Sequence, residues 1–238
     1  MGKNHTFTYR NVTFDYEVIV SKRRRTIGLE VHRDQRVVIR VPKGTPQQQV
    51  EAVVAEKANW IVKKLGRFAE NPPLPARQYQ DGEIYQLLGE EYVLVVKQGK
   101  QARVVKQDQN FILTVPDPDD IEQKTMTFKL WYRLQAITVF EERLAKCHPM
   151  VEHLNVPYPD VYVREMKTRW GSCSGRSDRI NLNTKLVQLP LELIDYVIVH
   201  ELCHFVEHNH SSNYYAVLTS VMPDWSARRE RLKHVRVH

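Results

Sequence analysis

Cysteine is scarce and scattered: Cys147, Cys173 and Cys203 are the only three in 238 residues, and no two form a C-x-x-C pair. That argues against a disulfide framework and points to a reducing cytoplasm, where such residues ordinarily serve as small buried hydrophobes. Long apolar runs are missing as well. None approaches the roughly 20 residues that span a bilayer, and the polar start "MGKNHTFTYR" has no signal-peptide core, so neither a membrane partner nor export is expected. Internal repeats and low-complexity tracts are also absent from the sequence.

What remains is an ordinary globular composition, 42% hydrophobic and 26% charged, in a chain long enough to bury a real core. The net charge of +7 is unevenly spread, because residues 1–50 hold ten Lys/Arg against four Asp/Glu. This excess centres on "SKRRRT", so Arg23, Arg24 and Arg25 are the candidate contacts for nucleic acid or another polyanion. Without interleaved aromatics, a solvated basic face is the plainer reading of the same stretch.

Around the polar turn His32–Gln35, "RTIGLEVHRDQRVVIRVP" reads as a hairpin. A helix follows, with Thr45 as N-cap, Pro46 at its first position and Gln48 closing a capping box. Its apolar face is Val50, Val53, Val54, Ala58, Ile61 and Leu65. Pro72, Pro73 and Pro75 make the clearest linker. Short β-rich runs come next, "EIYQLLGEEYVLVV", "ARVVKQ" and "NFILTVP", and then "DPDD" puts acid ahead of a long helical pattern over 121–147. Phe128, Trp131, Tyr132, Leu134, Ala136, Val139, Phe140 and Leu144 would form its buried face. Further on, "DVYVREMKTRWGSCSGRSDRINLNTKL" looks like two extended runs joined by a Gly/Ser turn at 171–177, and Pro190 opens the next helix. The shift in composition near residue 117 separates a basic, mostly β region, 1–117, from a more helical one, 118–238.

That last helix carries "VIVHELCHFVEHNH". From Ile194 to Val206 its strongly polar side chains are Asp195, His200, Glu201 and His204, in a helix apolar nearly all round and hence buried. Burying such groups without partners costs several kcal/mol. A metal cation removes that cost by binding neutral imidazoles. His200 and His204 are four apart and share a face, and H-E-x-x-H on a helix is the two-ligand half of a zinc site. Roughly one shuffled chain in thirty would hold that motif, so a third ligand matters. His210 supplies it if the chain bends at Asn209, a residue that tolerates the left-handed turn ending a helix. His208 is the rival. Three stacked histidines would span about 12 Å of helix, too far to converge on one ion, so His210 is favoured. Cys203 points into packing and is a poor fourth ligand. Three histidines and an open position suit a catalytic metal better than a structural one.

At this point several blocks, "TRWGSCS", "INLN", "LP…IDYVIVHELCH", "NHSSNYYAVL" and "MPDW", resemble in order the signatures of the YgjP-like zinc metallopeptidases, relatives of the SprT-like and WLM proteases in the zincin group. The N-terminal hairpin and the helix "EKANWIVKKL" are similar to the same family's N-terminal part. The resemblance implies an α+β fold: a zincin-like domain with an active-site helix and small sheet over 118–238, preceded by the β-rich basic region 1–117 with one helix. It implies one zinc ion per chain on His200, His204 and His210, and hydrolysis of peptide bonds by a zinc-activated water with Glu201 as general base. His210 also falls where metzincins place their third histidine, although Glu207 stands at their glycine position. By analogy with zincins, Arg164–Trp170 or Ile180–Asn183 would hold an extended protein or peptide substrate. Arg169 and Trp170 are then candidate substrate contacts, and Arg169, Tyr214 or Tyr215 a candidate transition-state donor. The other class to weigh is a nucleic-acid-binding protein with a structural metal centre, or a protease acting on DNA-associated proteins. Glu201 separates them, since a structural site does not require it. Oligomeric state is not legible.

Overall fold

The computed structural model describes residues 3–70, 72 and 74–237; Pro73 of the expected linker lies outside them. The protein is α+β and divides into two compact units, Met1–Pro75 and Ala76–His238. The boundary at 117 expected from composition therefore falls inside the second unit. Among the described residues no helix is long and apolar enough to cross a membrane.

The first unit begins with β1 (Lys3–Tyr9), β2 (Val12–Ser21), β3 (Gly28–Val31) and β4 (Val37–Pro42), ordered β1-β2-β4-β3 with β2 and β4 parallel. The expected hairpin is β3–β4, and its turn is closed by His32 N–H to Arg36 O, with Gln35 in the left-handed region. α1 (Gln47–Glu70) buries Val50, Val54, Ala58 and Ile61, while Val53 and Leu65 are half-buried. Its start differs from the expected capping box. The Thr45 hydroxyl donates to Pro42 O at 2.9 Å, and Pro46 O accepts the first helical bond, from Val50 N–H.

The second unit opens with the same pattern. β5 (Ile84–Leu87), β6 (Glu90–Gln98), β7 (Arg103–Gln107) and β8 (Asn110–Val115) are ordered β5-β6-β8-β7 with β6 and β8 parallel. A long helix follows again, α2 (Ile121–Cys147), with Asp120 accepting from Gln123 N–H as N-cap. A repeat of topology thus exists where the residues show none. α2 buries Phe128, Ala136, Phe140 and Leu144, but Leu134 is exposed, contrary to its place in the expected face. Lys124 is buried instead, its ammonium donating to Tyr79 O at 3.1 Å. The hydrocarbon stem fills the helix–sheet space while one carbonyl satisfies the charge end.

The remainder holds β9 (Asp160–Arg164), β10 (Gly171–Ser174), β11 (Arg179–Asn183), α3 (Leu191–Cys203), α4 (Ser212–Val221) and α5 (Trp225–His234). The sheet order is β10-β11-β9. Gly171–Ser174 is therefore a strand, where composition pointed to a turn. The turn is the 3-10 segment Gly175–Ser177, completed by Asp178 in the left-handed region. α3 enters from a fixed point. Leu88 and Gly89, both with positive φ, form the β5–β6 turn, and their amides donate to Val187 O and Gln188 O at 2.8 and 3.1 Å. A Cβ on Gly89 would come within 2.7 Å of Pro190, so only glycine lets this turn meet the residue that opens α3.

Candidate active site

α3 presents its polar groups at one end of a buried rod. Residues 193, 194, 196–199 and 201–203 are buried. Asp195 does not join the histidines: it takes a bidentate pair from Arg143 of α2, at 2.7 and 2.5 Å. That contact locks the helix against rotation and fixes which way His200 and Glu201 face.

The chain reverses sooner than expected. α3 ends at Cys203, and His204 is its cap residue in right-handed geometry. Short bonds from Phe205 N–H to Leu202 O and from Val206 N–H to Cys203 O tighten the exit. Asn209 has no positive φ; the bend there is closed by Ser211 N–H to Asn209 O at 2.8 Å. The outcome is nevertheless convergence. His200, His204 and His210 offer ligand atoms all within 4.8 Å of one another, the one such cluster among the described residues. His208 lines the cleft outside that cluster.

Protonation decides whether these residues suit a cation. The Tyr214 hydroxyl lies 2.6 Å from His200 Nδ1 and donates to His200 O at 3.1 Å. A phenol has one proton to give; with that proton on the carbonyl, the hydroxyl accepts Nδ1–H from the ring. That leaves His200 Nε2 as a bare lone pair, and it faces His210 Nε2 at 3.0 Å. His204 Nδ1 sits 3.0 Å from Glu207 O, which can only accept, so its Nε2 is the free nitrogen too. Burial, reinforced by His204 and His210, pushes His200 down to about 3, and burial also lowers His204. Neutral imidazoles with Nδ1 tied to an oxygen are the ligand form of histidine. The donor set fits a borderline metal ion such as zinc.

Glu201 is 5% exposed, and burial pushes its pKa up to about 8 against the lowering pull of Arg169 and of a hydrogen bond from the Cys173 backbone. Gly171 explains how the carboxylate fits. A Cβ there would stand 2.6 Å from Glu201 Oε1 and 2.9 Å from Cδ, so β10 can touch the acid only as glycine. Asn183, another buried residue that sequence reading passed over, clamps the approach to β10. Its Nδ2 donates to Met166 O and Arg169 O, both at 2.8 Å, and its own N–H donates to Trp170 O. Only the block "INLN" hinted at it.

These groups line a cleft of about 720 Å³ bordered by residues 168–173, α3 and α5. Arg169 and Trp170 both lie on it. Ile180–Asn183 does not offer a substrate edge, because β11 is hydrogen-bonded on both sides, and of 164–170 only Arg164 is in a strand. The open edge beside α3 is β10. Tyr214 is fully buried, with its hydroxyl against His200. Arg23, Arg24 and Arg25 lie in the first unit, between β2 and β3; Arg23 and Arg25 are exposed, whereas Arg24 reaches Glu30 at 3.9 Å.

Residues 25–235 match the family model described as YgjP-like, metallopeptidase domain. The chain belongs to the YgjP-like metallopeptidase family. Among solved structures it is similar to the metallopeptidase zymogen of Pyrococcus abyssi abylysin, at 22% identity and TM-score 0.36, over 39% of this chain and 90% of that one. It is likewise similar to the metallopeptidase zymogen of Methanocaldococcus jannaschii jannalysin, at 21% identity and TM-score 0.35, over 40% and 90%. Among curated proteins none matches significantly.

Two substitutions probe this geometry. Tyr214→Phe keeps the ring and deletes the hydroxyl, and zinc affinity measured against a chromophoric chelator should weaken by about tenfold; unchanged affinity would show the hydroxyl to be idle. Gly171→Ala should leave zinc affinity near that of the unaltered chain while lowering peptide-cleavage kcat by about tenfold or more, since it displaces only Glu201. Full activity in Gly171→Ala would mean that the close approach is not needed.

Proposed function

We propose that the chain is a zinc endopeptidase, with one zinc ion held by His200, His204 and His210 and with Glu201 as general base. The observation that carries this reading is the meeting of three imidazole nitrogens beside a buried carboxylate, on the floor of an open cleft. Zinc, when bound, supplies a Lewis acid that polarises a carbonyl and makes water nucleophilic near neutral pH. Glu201 receives the proton of the attacking water and delivers it to the leaving amine, so the C–N bond breaks and the water oxygen stays on the new carboxyl group. Gly171 and the Cys173 amide hold that carboxylate in place from β10.

The substrate strand is assigned to the open edge of β10, where an extended peptide can add backbone hydrogen bonds. Trp170 shapes one subsite and Arg169 stands at the rim, close enough for its charge to bear on Glu201. Tyr214 holds His200 in the tautomer that leaves Nε2 free. Three free cysteines suit a reducing cytoplasm.

The test compares the unaltered chain and Glu201→Gln, each loaded with zinc and given a dye-labelled unfolded protein. Both should bind one zinc, and Glu201→Gln should cleave at least about a hundredfold more slowly. Fragments ending inside the substrate sequence, read by mass spectrometry, should appear with the unaltered chain only. Equal cleavage by the two would overturn the mechanism.

A further inference from the structure

α5 closes one wall of the cleft and carries four cations, Arg228, Arg229, Arg231 and Lys233. Three have a carboxylate: Arg228 pairs with Asp224 at 2.8 Å, Arg231 with Glu192 at 2.7 Å and Lys233 with Glu230 at 2.6 Å. Arg229 is the exception. Among the described residues no carboxylate lies within salt-bridge range of it, although it faces the cleft.

Its position is nonetheless fixed. Arg229 Nη1 donates to the Tyr215 hydroxyl at 3.4 Å, and the guanidinium carbon lies 5.8 and 5.9 Å from the Tyr215 and Trp225 ring centres. Those rings stack at 5.0 Å, and Trp225 is itself held by its indole N–H on the Thr219 hydroxyl at 2.8 Å. Aromatic faces anchor the cation where a counter-charge would otherwise do so. From there its charge bears on both His200 and Tyr196 of α3. The surroundings are electropositive: Arg169 lines the same cleft, Lys233 lies one turn along, and among the described residues the one acidic residue lining it is the buried Glu201. A pre-positioned guanidinium without a carboxylate partner, on the cleft beside the three histidines, is built to take a planar anion by two parallel hydrogen bonds.

Resting on the peptidase reading above, we propose that Arg229 is the specificity-determining residue of the cleft and receives a carboxylate of the substrate. That carboxylate belongs either to an Asp or Glu side chain near the scissile bond or to the peptide C-terminus. The first makes the chain an endopeptidase with an acidic preference, and the second makes it a carboxypeptidase.

The test uses dye-labelled peptides in which a single Glu or Gln is walked through every position, each made with a free and an amidated C-terminus. Binding is read by fluorescence anisotropy on the zinc-loaded Glu201→Gln chain, which leaves the peptides intact, and kcat and KM are read on the active chain. One Glu position, or the free C-terminus, should bind about tenfold tighter than its neutral counterpart, with KM following. Arg229→Gln should bring that ratio close to one, and Arg229→Lys should retain part of it. Arg231→Gln, on the same helix but paired with Glu192, should keep it. The inference is overturned if no carboxylate preference exists, if the preference survives Arg229→Gln, or if Arg229→Gln lowers kcat on every peptide alike with the ratio unchanged. Binding that depends on Arg229 without any cleavage by the active chain supports the inference while sinking the peptidase reading.

Discussion

His200 Nε2 and His210 Nε2 face each other at 3.0 Å, a contact that two ring nitrogens keep only with a proton or a cation between them. With the Tyr214 proton on His200 O, its hydroxyl accepts Nδ1–H and leaves Nε2 as the lone pair that a cation can take. Much of the second unit can be understood as the support for that arrangement. The Leu88–Gly89 turn fixes where α3 begins, the Arg143–Asp195 pair fixes its rotation, and the early exit at His204 returns the chain so that His210 meets the other two. α4 then starts at Ser212, after the N-cap Ser211, whose hydroxyl accepts from Tyr214 N–H and sets that ring against the cluster.

The cleft has two chemically different walls. Where α3 meets β10 stand Glu201, the glycine that makes room for it, and the Asn183 clamp that shapes the approach; in the proposed mechanism this part handles the proton. On α5 stands Arg229, held by two aromatic rings and, among the described residues, unmatched by any carboxylate; in the proposed reading this part meets the substrate. The division places the proposed acid–base group on α3 and the proposed recognition group on α5, so a change in one need not disturb the other.

Some of this was legible in the residues and some was not. The H-E-x-x-H spacing and the third histidine were readable because a buried helix shows its polar residues against an apolar background. α2 ran over the expected residues because Asp120 caps it and its apolar spacing is helical. The strand at Gly171–Ser174 was not readable, since Gly, Ser and Cys carry no β signal and the strand exists through its pairing with β11. The bend at Asn209 exists, but it is not a left-handed helix end, because the helix already unwinds at His204 in tight turns that leave no residue-type mark. Leu134 shows the reverse case, an apolar residue at core spacing on a helix too broad in its contacts to bury every one. The division at Pro75 was visible as a proline cluster but was outweighed by the shift in composition near 117. The doubled β-sheet topology escaped entirely, because topology can persist while residues diverge.

The central claim is that three particular histidines form one metal site, and zinc titration of single substitutions tests it most directly. His210→Ala should lose zinc affinity by orders of magnitude, as should His200→Ala and His204→Ala, while His208→Ala keeps it, because His208 stands on the cleft outside the cluster. Undiminished affinity in His210→Ala together with its loss in His208→Ala would contradict the account.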